Sequence, residues 1–306
     1  MSRKFRFLYF FVAGMFLIAC NEKEPAGKVA DTGPASIITV NYPLFYFTQQ
    51  LAAELAIVTL PVSPEIDPAQ WNPKVDDILQ MQQAELIILN GAGYSLWLDK
   101  VSLSPDRLVN SSLDAKDRWI SLAGQTTHSH GPGGEHSHSG YAFTTWMDMT
   151  LARHQVSAIA KALVQRWPEQ QQAIALREEN LLEALTTLDK RYQQLAKGLA
   201  GKNLIYSHPV YQYFERRYQL VGESLHWEPG EMPSEKQWTE LRRLLAGKSD
   251  ALFIWEDEPS TEIAERMAAM ELAYVVIRPA ANISNKNWLS EQQANLKRLQ
   301  DSNRAL

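Results

Sequence analysis

The chain has 306 residues, of which 45% are hydrophobic and 21% are charged, so it has enough apolar material for one or two packed cores. Its formal net charge is −5, a mildly acidic balance that argues against a nucleic-acid partner and suits a protein that handles cations. Three cations (Arg3, Lys4 and Arg6) and no acids precede Cys20, so a chain that starts at Cys20 has a charge of −8.

The first 20 residues contain the parts of a secretion signal. The basic start is followed by an apolar run from Phe7 to Leu17, which is too short to span a membrane comfortably. Leu-Ile-Ala then leads to Cys20, the only cysteine, and this tetrapeptide resembles the bacterial lipobox, whose cysteine is lipid-modified. We predict a signal peptide over 1–19, a lipid on Cys20, and an exported protein that faces the periplasm and is held to the membrane by that lipid.

Residues 20–35 are polar and rich in glycine, proline and charge, which predicts a flexible tether. From residue 36 to 148 the pattern becomes that of an α/β lobe. Strands are predicted at Ile37–Val40, Val58–Val62 and Leu86–Leu89, and helices at Pro43–Leu55 and Lys74–Gln83. Alternation of strand and helix at this interval predicts a parallel sheet.

The stretch 127–140 reads THSHGPGGEHSHSG and contains four of the seven histidines of the chain. Its glycines and proline predict a loop without regular structure. Two His-x-His pairs this close together are hard to explain structurally, and metal binding is the usual role of such tracts. We therefore predict His128, His130, His136 and His138 as metal ligands.

Residues 149–200 predict two helices separated at Trp167-Pro168, because proline starts a helix well and interrupts one badly. The second helix, ending near Leu199, would be about 45–48 Å long and could connect two lobes.

Residues 201–306 predict a second α/β lobe. Its strands are expected at Asn203–Tyr206, Ala251–Trp255 and Val275–Ile277, and its helices at Val210–Tyr218, Ser234–Leu245 and Ser260–Met270. The predicted fold class is therefore α/β, with two lobes that each contain a parallel sheet flanked by helices, joined by a long backbone helix.

Ligands of open parallel sheets bind beyond the carboxyl ends of the strands. Four segments occupy such positions here: 67–73, 144–148, Ser207-His208-Pro209, and 256–259. Polar and charged side chains in these segments are the candidates for a binding site.

Several segments resemble motifs of a known family, the zinc- and manganese-binding solute-binding lipoproteins of ABC importers, which have the helical-backbone metal receptor fold. The resemblance covers roughly residues 36–300. It rests on Asn41-Tyr42-Pro43-Leu44, Asp67-Pro68-x-x-Trp71-x-Pro73, Asn90-Gly91-x-Gly93, Trp97-Leu98, the histidine loop, Ser207-His208-Pro209, Pro233-Ser234 and Glu256.

The resemblance implies a monomeric binding protein, not an enzyme, that captures a divalent transition metal. Zinc is the expected ion, with manganese or another divalent transition metal as the alternative. Its expected partners are an ABC permease and the ATPase subunit of that importer. The long helix is expected to limit hinge motion, so that release follows from small shifts of lobes and loops.

Members of this family hold the metal with four residues, and the match to this chain is partial. The histidine of Ser-His-Pro corresponds to His208, and the acid after a late strand corresponds best to Glu256. The other two positions, histidines in the family, fall on Ala69, which has no donor, and on Thr144, a poor zinc ligand. The chain therefore resembles a divergent member of the family.

Zinc requires about four nitrogen, oxygen or sulfur donors, so a site with His208 and Glu256 needs about two further ligands. Oxygen donors are available nearby in Asp257, Glu258, Gln70 and Asp148, and an oxygen-rich site would favour manganese. A second hypothesis is that His136 or His138 folds into the cleft, while the alternative is that the histidine loop only collects ions at the surface. His154 and His226 are expected to have surface or packing roles.

Two other functions remain open at this stage. A divergent relative without a full cleft site would store or ferry ions on its histidine loop, or bind another ligand or protein. A metal-dependent hydrolase would use the open positions of a partly filled site, but no general base is evident. No nucleophile–base pair, phosphate loop or pair of catalytic carboxylates occurs at recognisable spacing.

Overall fold

Short runs of aliphatic and β-branched residues build two four-stranded parallel sheets. A computed structural model describes residues 35–122, 128–129, 135–136, 140–228, 230–248 and 250–305. The first sheet has the order β2-β1-β3-β4 and the second the order β10-β9-β7-β8. The strands are β1 Ser36–Thr39, β2 Ile57–Thr59, β3 Leu86–Leu89, β4 Leu108–Asn110, β5 His128–Ser129, β6 Glu135–His136, β7 Asn203–Tyr206, β8 Gly222–Ser224, β9 Ala251–Trp255 and β10 Ala273–Val276.

Strands β3 and β9 are buried at every position, as expected of continuous apolar strands in the middle of a parallel sheet. Together with β7 they have the predicted bounds. Strands β4 and β8 were not predicted, because each has only three residues and β8 consists of glycine, glutamate and serine. Both lie at sheet edges, where pairing with one neighbour maintains a strand that its own residues do not favour.

The helices cover the two sheets. They are α1 Tyr42–Ala52, α2 Val75–Gln83, α3 Met149–Arg166, α4 Gln171–Ala196, α5 Gln212–Tyr218, α6 Glu235–Leu245, α7 Thr261–Ala269 and α8 Trp288–Ala305. Polar side chains start several of them: Asn41 accepts a hydrogen bond from the Leu44 amide, and Ser234 and Gln237 form a capping box.

Helix α4 is the predicted long helix. The predicted interruption before it is confirmed: α3 ends at Arg166, and Pro168 begins a short 3-10 turn before α4. Its 26 residues correspond to about 39 Å, somewhat shorter than predicted because regular helix ends at Ala196. It packs against α1 and α3, which flank the first sheet, and against α5 and α8 of the second half.

One apolar core extends through both halves of the protein. It includes Ile37 and Ile88 of the first sheet, Leu185 of α4, and Leu252 of the second sheet. A smaller cluster on the other face of the second sheet is rich in tryptophan. Helix α8 was not predicted because most of its residues are polar, although Trp288, Leu296 and Leu299 are fully buried. The predicted α/β class with two parallel sheets and a long helix is confirmed.

The expectation that the histidine loop lacks regular structure is wrong at two places. Strands β5 and β6 pair antiparallel, with His128 opposite His136 and Ser129 opposite Glu135. The glycines and the proline at 131–134 belong to neither strand and lie outside the described residues. Within the described residues, no helix has the length and apolar character needed to cross a bilayer.

Candidate metal centre

Three acidic or imidazole side chains follow three adjacent strands of the second sheet. His208 comes two residues after β7, Glu228 four residues after β8, and Glu256 directly after β9. Strand β7 lies between β8 and β9, and all three run parallel. Their carboxyl ends therefore meet at one edge of the sheet, which is where ligands of open parallel sheets bind.

Ser207 fastens the three chain segments together. Its amide donates to the Ile254 carbonyl oxygen over 2.9 Å, and its carbonyl oxygen accepts from the Trp227 amide over 2.8 Å. Its hydroxyl oxygen accepts from the amide of Glu256 over 3.2 Å. Because Ser207 precedes His208, these bonds fix the imidazole relative to both glutamates.

Two buried tryptophans, each next to one of the glutamates in sequence, fix the backbone at both positions. Trp227 and Trp255 immediately precede Glu228 and Glu256, and both indoles are buried, with their ring centroids 5.8 Å apart. A buried indole places the next residue of an extended chain on the opposite face. The tryptophan cluster of the second sheet therefore directs both carboxylates toward the cleft.

One ligand atom from each of His208, Glu228 and Glu256 lies within 4.8 Å of the others. The Nδ1 atom of His208 is 3.6 Å from a carboxylate oxygen of Glu228. The His226 ring meets the His208 ring edge to face at 5.8 Å between centroids, and His226 is exposed. One nitrogen and two oxygen donors at this spacing match the ligand types that zinc accepts in proteins.

Burial raises the pKa of Glu256 to about 8, and the negative charges of Glu228, Asp67 and Asp257 contribute to the shift. Carboxylates gathered in a partly buried place repel one another and disfavour ionisation. A divalent cation between them would compensate this repulsion.

The trio lies on the wall of a cleft of about 420 Å³. Residues of the first half form the facing wall, including Tyr94, whose ring meets those of Phe143 and Trp146 edge to face. The segment after β10 closes one side and is bonded to the first half: the Trp146 indole donates to the Pro279 carbonyl oxygen, and the Asn282 amide donates to the carbonyl oxygens of Ser63 and Ile66.

The two positions without histidine do not supply donors in another form. Ala69 precedes Gln70, which lines the cleft, but its methyl side chain cannot bind a cation. Thr144 lines the cleft as well, yet its hydroxyl donates to the carbonyl oxygen of Val210 over 2.6 Å. Asp67 also lines the cleft, and one of its carboxylate oxygens accepts from the Ala69 amide.

Of the predicted extra donors, Asp148 is not in the cleft. Its carboxylate accepts from the amides of Thr150 and Leu151 at the start of α3 and pairs with Arg118 over 3.2 Å. A buried carboxylate at a helix N-terminus satisfies unpaired amides, and this local role explains its position.

Asp257 does line the cleft, but its carboxylate forms a 2.8 Å ion pair with Arg278. Glu258 pairs with the same guanidinium over 3.2 Å.

Glu228 was missed by reasoning from the sequence. It follows β8, the polar three-residue strand that was itself missed, so nothing placed it at the end of a strand. The available signal was the alternation Leu225-His226-Trp227, in which the two apolar residues are buried and His226 is exposed. That alternation indicates an extended segment with the next side chain directed away from the core.

The side chains of His128, His130, His136 and His138 fall outside the described part of the structure, and so does Cys20. Their predicted roles as loop ligands and as lipidation site therefore stay predictions. That His136 or His138 enters the cleft likewise stays a hypothesis.

A family model and several known proteins are similar to this chain. The family model for "Zinc-uptake complex component A periplasmic" matches residues 37–302. The zinc-binding lipoprotein AdcA of Streptococcus pneumoniae is 22% identical over 313 residues, which cover 98% of this chain and 61% of AdcA. The high-affinity zinc uptake system protein ZnuA of Bacillus subtilis is 24% identical, covering 85% of this chain and 83% of ZnuA.

Among solved structures, Zn(II)-bound AdcA from Streptococcus pneumoniae superposes with a TM-score of 0.72 at 21% identity. The superposition covers 89% of this chain and 58% of AdcA. At this level of identity the likeness concerns the fold. Because the family model matches nearly the whole described chain, this protein belongs to the family of the periplasmic component A of zinc-uptake complexes.

Proposed function

We propose that this protein is an exported lipoprotein, anchored through Cys20, that captures a divalent transition metal, with zinc as its first cargo, and delivers it to the permease of an ABC importer. The observation that carries the proposal is the convergence of His208, Glu228 and Glu256 at the carboxyl edge of the second sheet. A site of one imidazole and two carboxylates, backed by a rigid aromatic cluster, supplies preorganised ligands for a cation.

The proposed ligand set differs from the one that the resemblance implies. Glu228 supplies a donor in place of one of the two missing histidines. The proposed ion position is therefore closer to the second sheet than the position in a site whose ligands come equally from both halves. Coordination by two carboxylates makes the site harder, so manganese is expected to compete better here than at a histidine-rich site.

The test is a zinc titration of the metal-free protein with a competing chelator of known affinity. Replacing His208 with alanine is expected to weaken cleft binding by at least about 100-fold, more than the loss of an outer-shell partner costs. His154→Ala is the matched control, because His154 is an exposed histidine of α3 outside the cleft. Equal affinity of the two variants would refute the cleft site.

The histidine loop adds ions of its own to such a titration. Zinc that remains on His208→Ala at lower affinity should disappear when residues 128–138 are also deleted. Import is tested separately, by zinc uptake in cells that carry wild-type protein or the His208→Ala variant. Delivery to a permease requires that only the wild type restores uptake.

A further inference from the structure

The cleft is much larger than a bare ion requires. An ion that keeps two or three waters needs about 100 Å³ beyond its protein donors, given about 30 Å³ for each water. The cleft measures about 420 Å³, within the range of roughly 300–1,000 Å³ that is usual for small-molecule sites. The cleft opens to solvent, so part of this volume holds bulk water, and the rest leaves room for a small molecule beside the cation.

The three donors also reach the cation from one side only. His208, Glu228 and Glu256 all follow strands of the second sheet, whereas the facing wall contains Phe143 and the carboxylate of Asp67, one oxygen of which accepts from the Ala69 amide. The two facing positions that resemble family ligands are a methyl group at Ala69 and, at Thr144, a hydroxyl engaged with Val210. With three protein ligands, a four- to six-coordinate ion has at least one position on this side for a donor from outside the trio.

The charge of the cleft restricts which donor this can be. Five carboxylates line it besides Glu256; they belong to Glu65, Asp67, Glu228, Asp257 and Glu291. The one lining guanidinium, that of Arg278, pairs with Asp257 and Glu291. An anionic chelator would meet an excess of negative charge, while a neutral or cationic one would not.

We propose that the cleft accepts its divalent metal as a complex with a small, net-neutral ligand of the chemical class of free imidazole-bearing amino acids, which binds the ion through its imidazole nitrogen and keeps its ammonium proton. This inference rests on the proposed function and specifies the form of its cargo. The chelator's nitrogen takes the coordination position for which Ala69 and Thr144 offer no donor. Its apolar part packs on the half-buried ring of Phe143, since removing apolar surface from water is favourable.

The test is equilibrium dialysis of the full-length protein against radiolabelled L-histidine, with and without zinc. One histidine per protein is expected to be retained only when zinc is present. Glu256→Gln should abolish this retention, and deletion of residues 128–138 should preserve it. If deletion of residues 128–138 abolished retention, the proposal would be overturned. It would also be overturned if the wild type bound zinc but retained no histidine, and that second result would leave the proposed function intact.

A pair of variants tests the cavity itself. Ile66 lines the cleft and is 43% exposed, while Ile57 on β2 is 56% exposed and does not line it. Ile66→Trp should weaken histidine retention about tenfold, as expected of a steric clash, with zinc affinity changed by less than about threefold. Ile57→Trp should change neither. Equal retention by both variants would contradict the proposal.

Citrate tests whether the cleft discriminates against a negatively charged chelator. As an anionic oxygen chelator it is expected to withdraw zinc from the protein without being retained. Zinc-dependent retention of citrate would overturn the assigned chemical class. Failure of the wild-type cleft to bind zinc in any of these mixtures would overturn the proposed function together with this inference.

Discussion

At the residue scale, the candidate site lies at the edge of one sheet. The three converging donors follow β7, β8 and β9, and each is fixed by its neighbour in sequence. Ser207 bonds the three segments together, while Trp227 and Trp255 are buried behind the carboxylates. The site is therefore preorganised by backbone bonds and packing that do not involve the ion.

Glu228→Gln tests the residue that sequence reasoning missed. Loss of the carboxylate charge is expected to weaken zinc binding by at least about tenfold, because a neutral amide is a poor ligand for zinc. Competition with a chelator at pH 7 measures the change. Glu223→Gln is the control, since Glu223 is an exposed glutamate of the adjacent strand β8. Wild-type affinity in Glu228→Gln would remove Glu228 from the ligand set.

Glu215 provides a test of pH dependence away from the cleft. Burial raises the pKa of Glu215 to about 7, although its carboxylate accepts from the Gly222 amide over 3.0 Å. A raised pKa in the folded state means that the stabilising contribution is complete below about pH 4.5 and is lost as the pH rises through about 7. The wild type should lose stability over this interval relative to a neutral variant.

The neutral variant is Glu215→Gln. At pH 8.5 it should be more stable than the wild type by roughly 1–2 kcal/mol, a value reduced for partial solvent exposure, and at pH 4.5 the difference should vanish. Urea unfolding of metal-free protein at both pH values measures this. Glu240→Gln, on the exposed face of α6, should track the wild type at both. A difference independent of pH would show that the titration of Glu215 is not its cause.

At the scale of elements, the segment after β10 holds the two sides of the cleft together. It belongs to the second half but bonds to the first, since the Tyr42 amide donates to the Ala281 carbonyl oxygen over 2.8 Å. The Asn282 amide donates to Ser63 and Ile66 carbonyl oxygens over 2.8 and 2.7 Å. The loop from 63 to 70, which carries Asp67, is thereby tied to the opposite wall.

Asn282→Ala should accelerate zinc release. Loss of two hydrogen bonds, worth about 1 kcal/mol in total at an exposed site, corresponds to a release rate about five- to tenfold higher. Stopped-flow transfer of zinc to an excess of chelator measures this rate. Asn285→Ala is the control, because Asn285 is an exposed asparagine of the same segment. Identical release rates for the two variants would show that this contact does not limit opening.

At the scale of the whole molecule, α4 connects the two halves through one shared core. A buried polar contact adds to this connection: the carboxylate of Asp189 on α4 accepts from Arg217 and from the hydroxyl of Tyr218, both on α5. Asp189 is 6% exposed, so its charge depends on these partners for compensation. The contact fixes the second half to the long helix.

Asp189→Ala is expected to destabilise the protein by about 3 kcal/mol, because it removes the nearer of the two carboxylates that pair with Arg217 and the acceptor of the Tyr218 hydroxyl, leaving Asp148 at 3.8 Å as the remaining partner of the guanidinium. Denaturant unfolding measures the loss. Glu183→Ala removes an exposed carboxylate from the same helix and should cost less than about 0.5 kcal/mol. An equal effect of the two substitutions would show that the buried pair does not contribute to stability.

Local hydrophobicity and backbone chemistry were sufficient to predict the class of the fold and the order of its main elements. Strands β3, β7 and β9 are continuous apolar runs, and Pro168 interrupts the helical region, so local hydrophobicity and backbone chemistry are sufficient to place them. Motifs around Asp67 and His208 indicated the family, which comparison confirmed. Cys20 and the preceding apolar run predicted export, and this prediction depends on sequence alone.

Tertiary structure decided which side chains share the site. Strand β8 forms because β7 offers it a partner, not because glycine, glutamate and serine favour a strand, and without β8 the position of Glu228 is invisible. Asp148 has the chemistry of a ligand but caps α3, whereas Glu228 lacks any motif yet lies beside His208. Local sequence fixes the chemistry that each residue offers. Only the order of strands in the folded sheet fixes which residues meet, because that order depends on contacts between segments far apart in the chain.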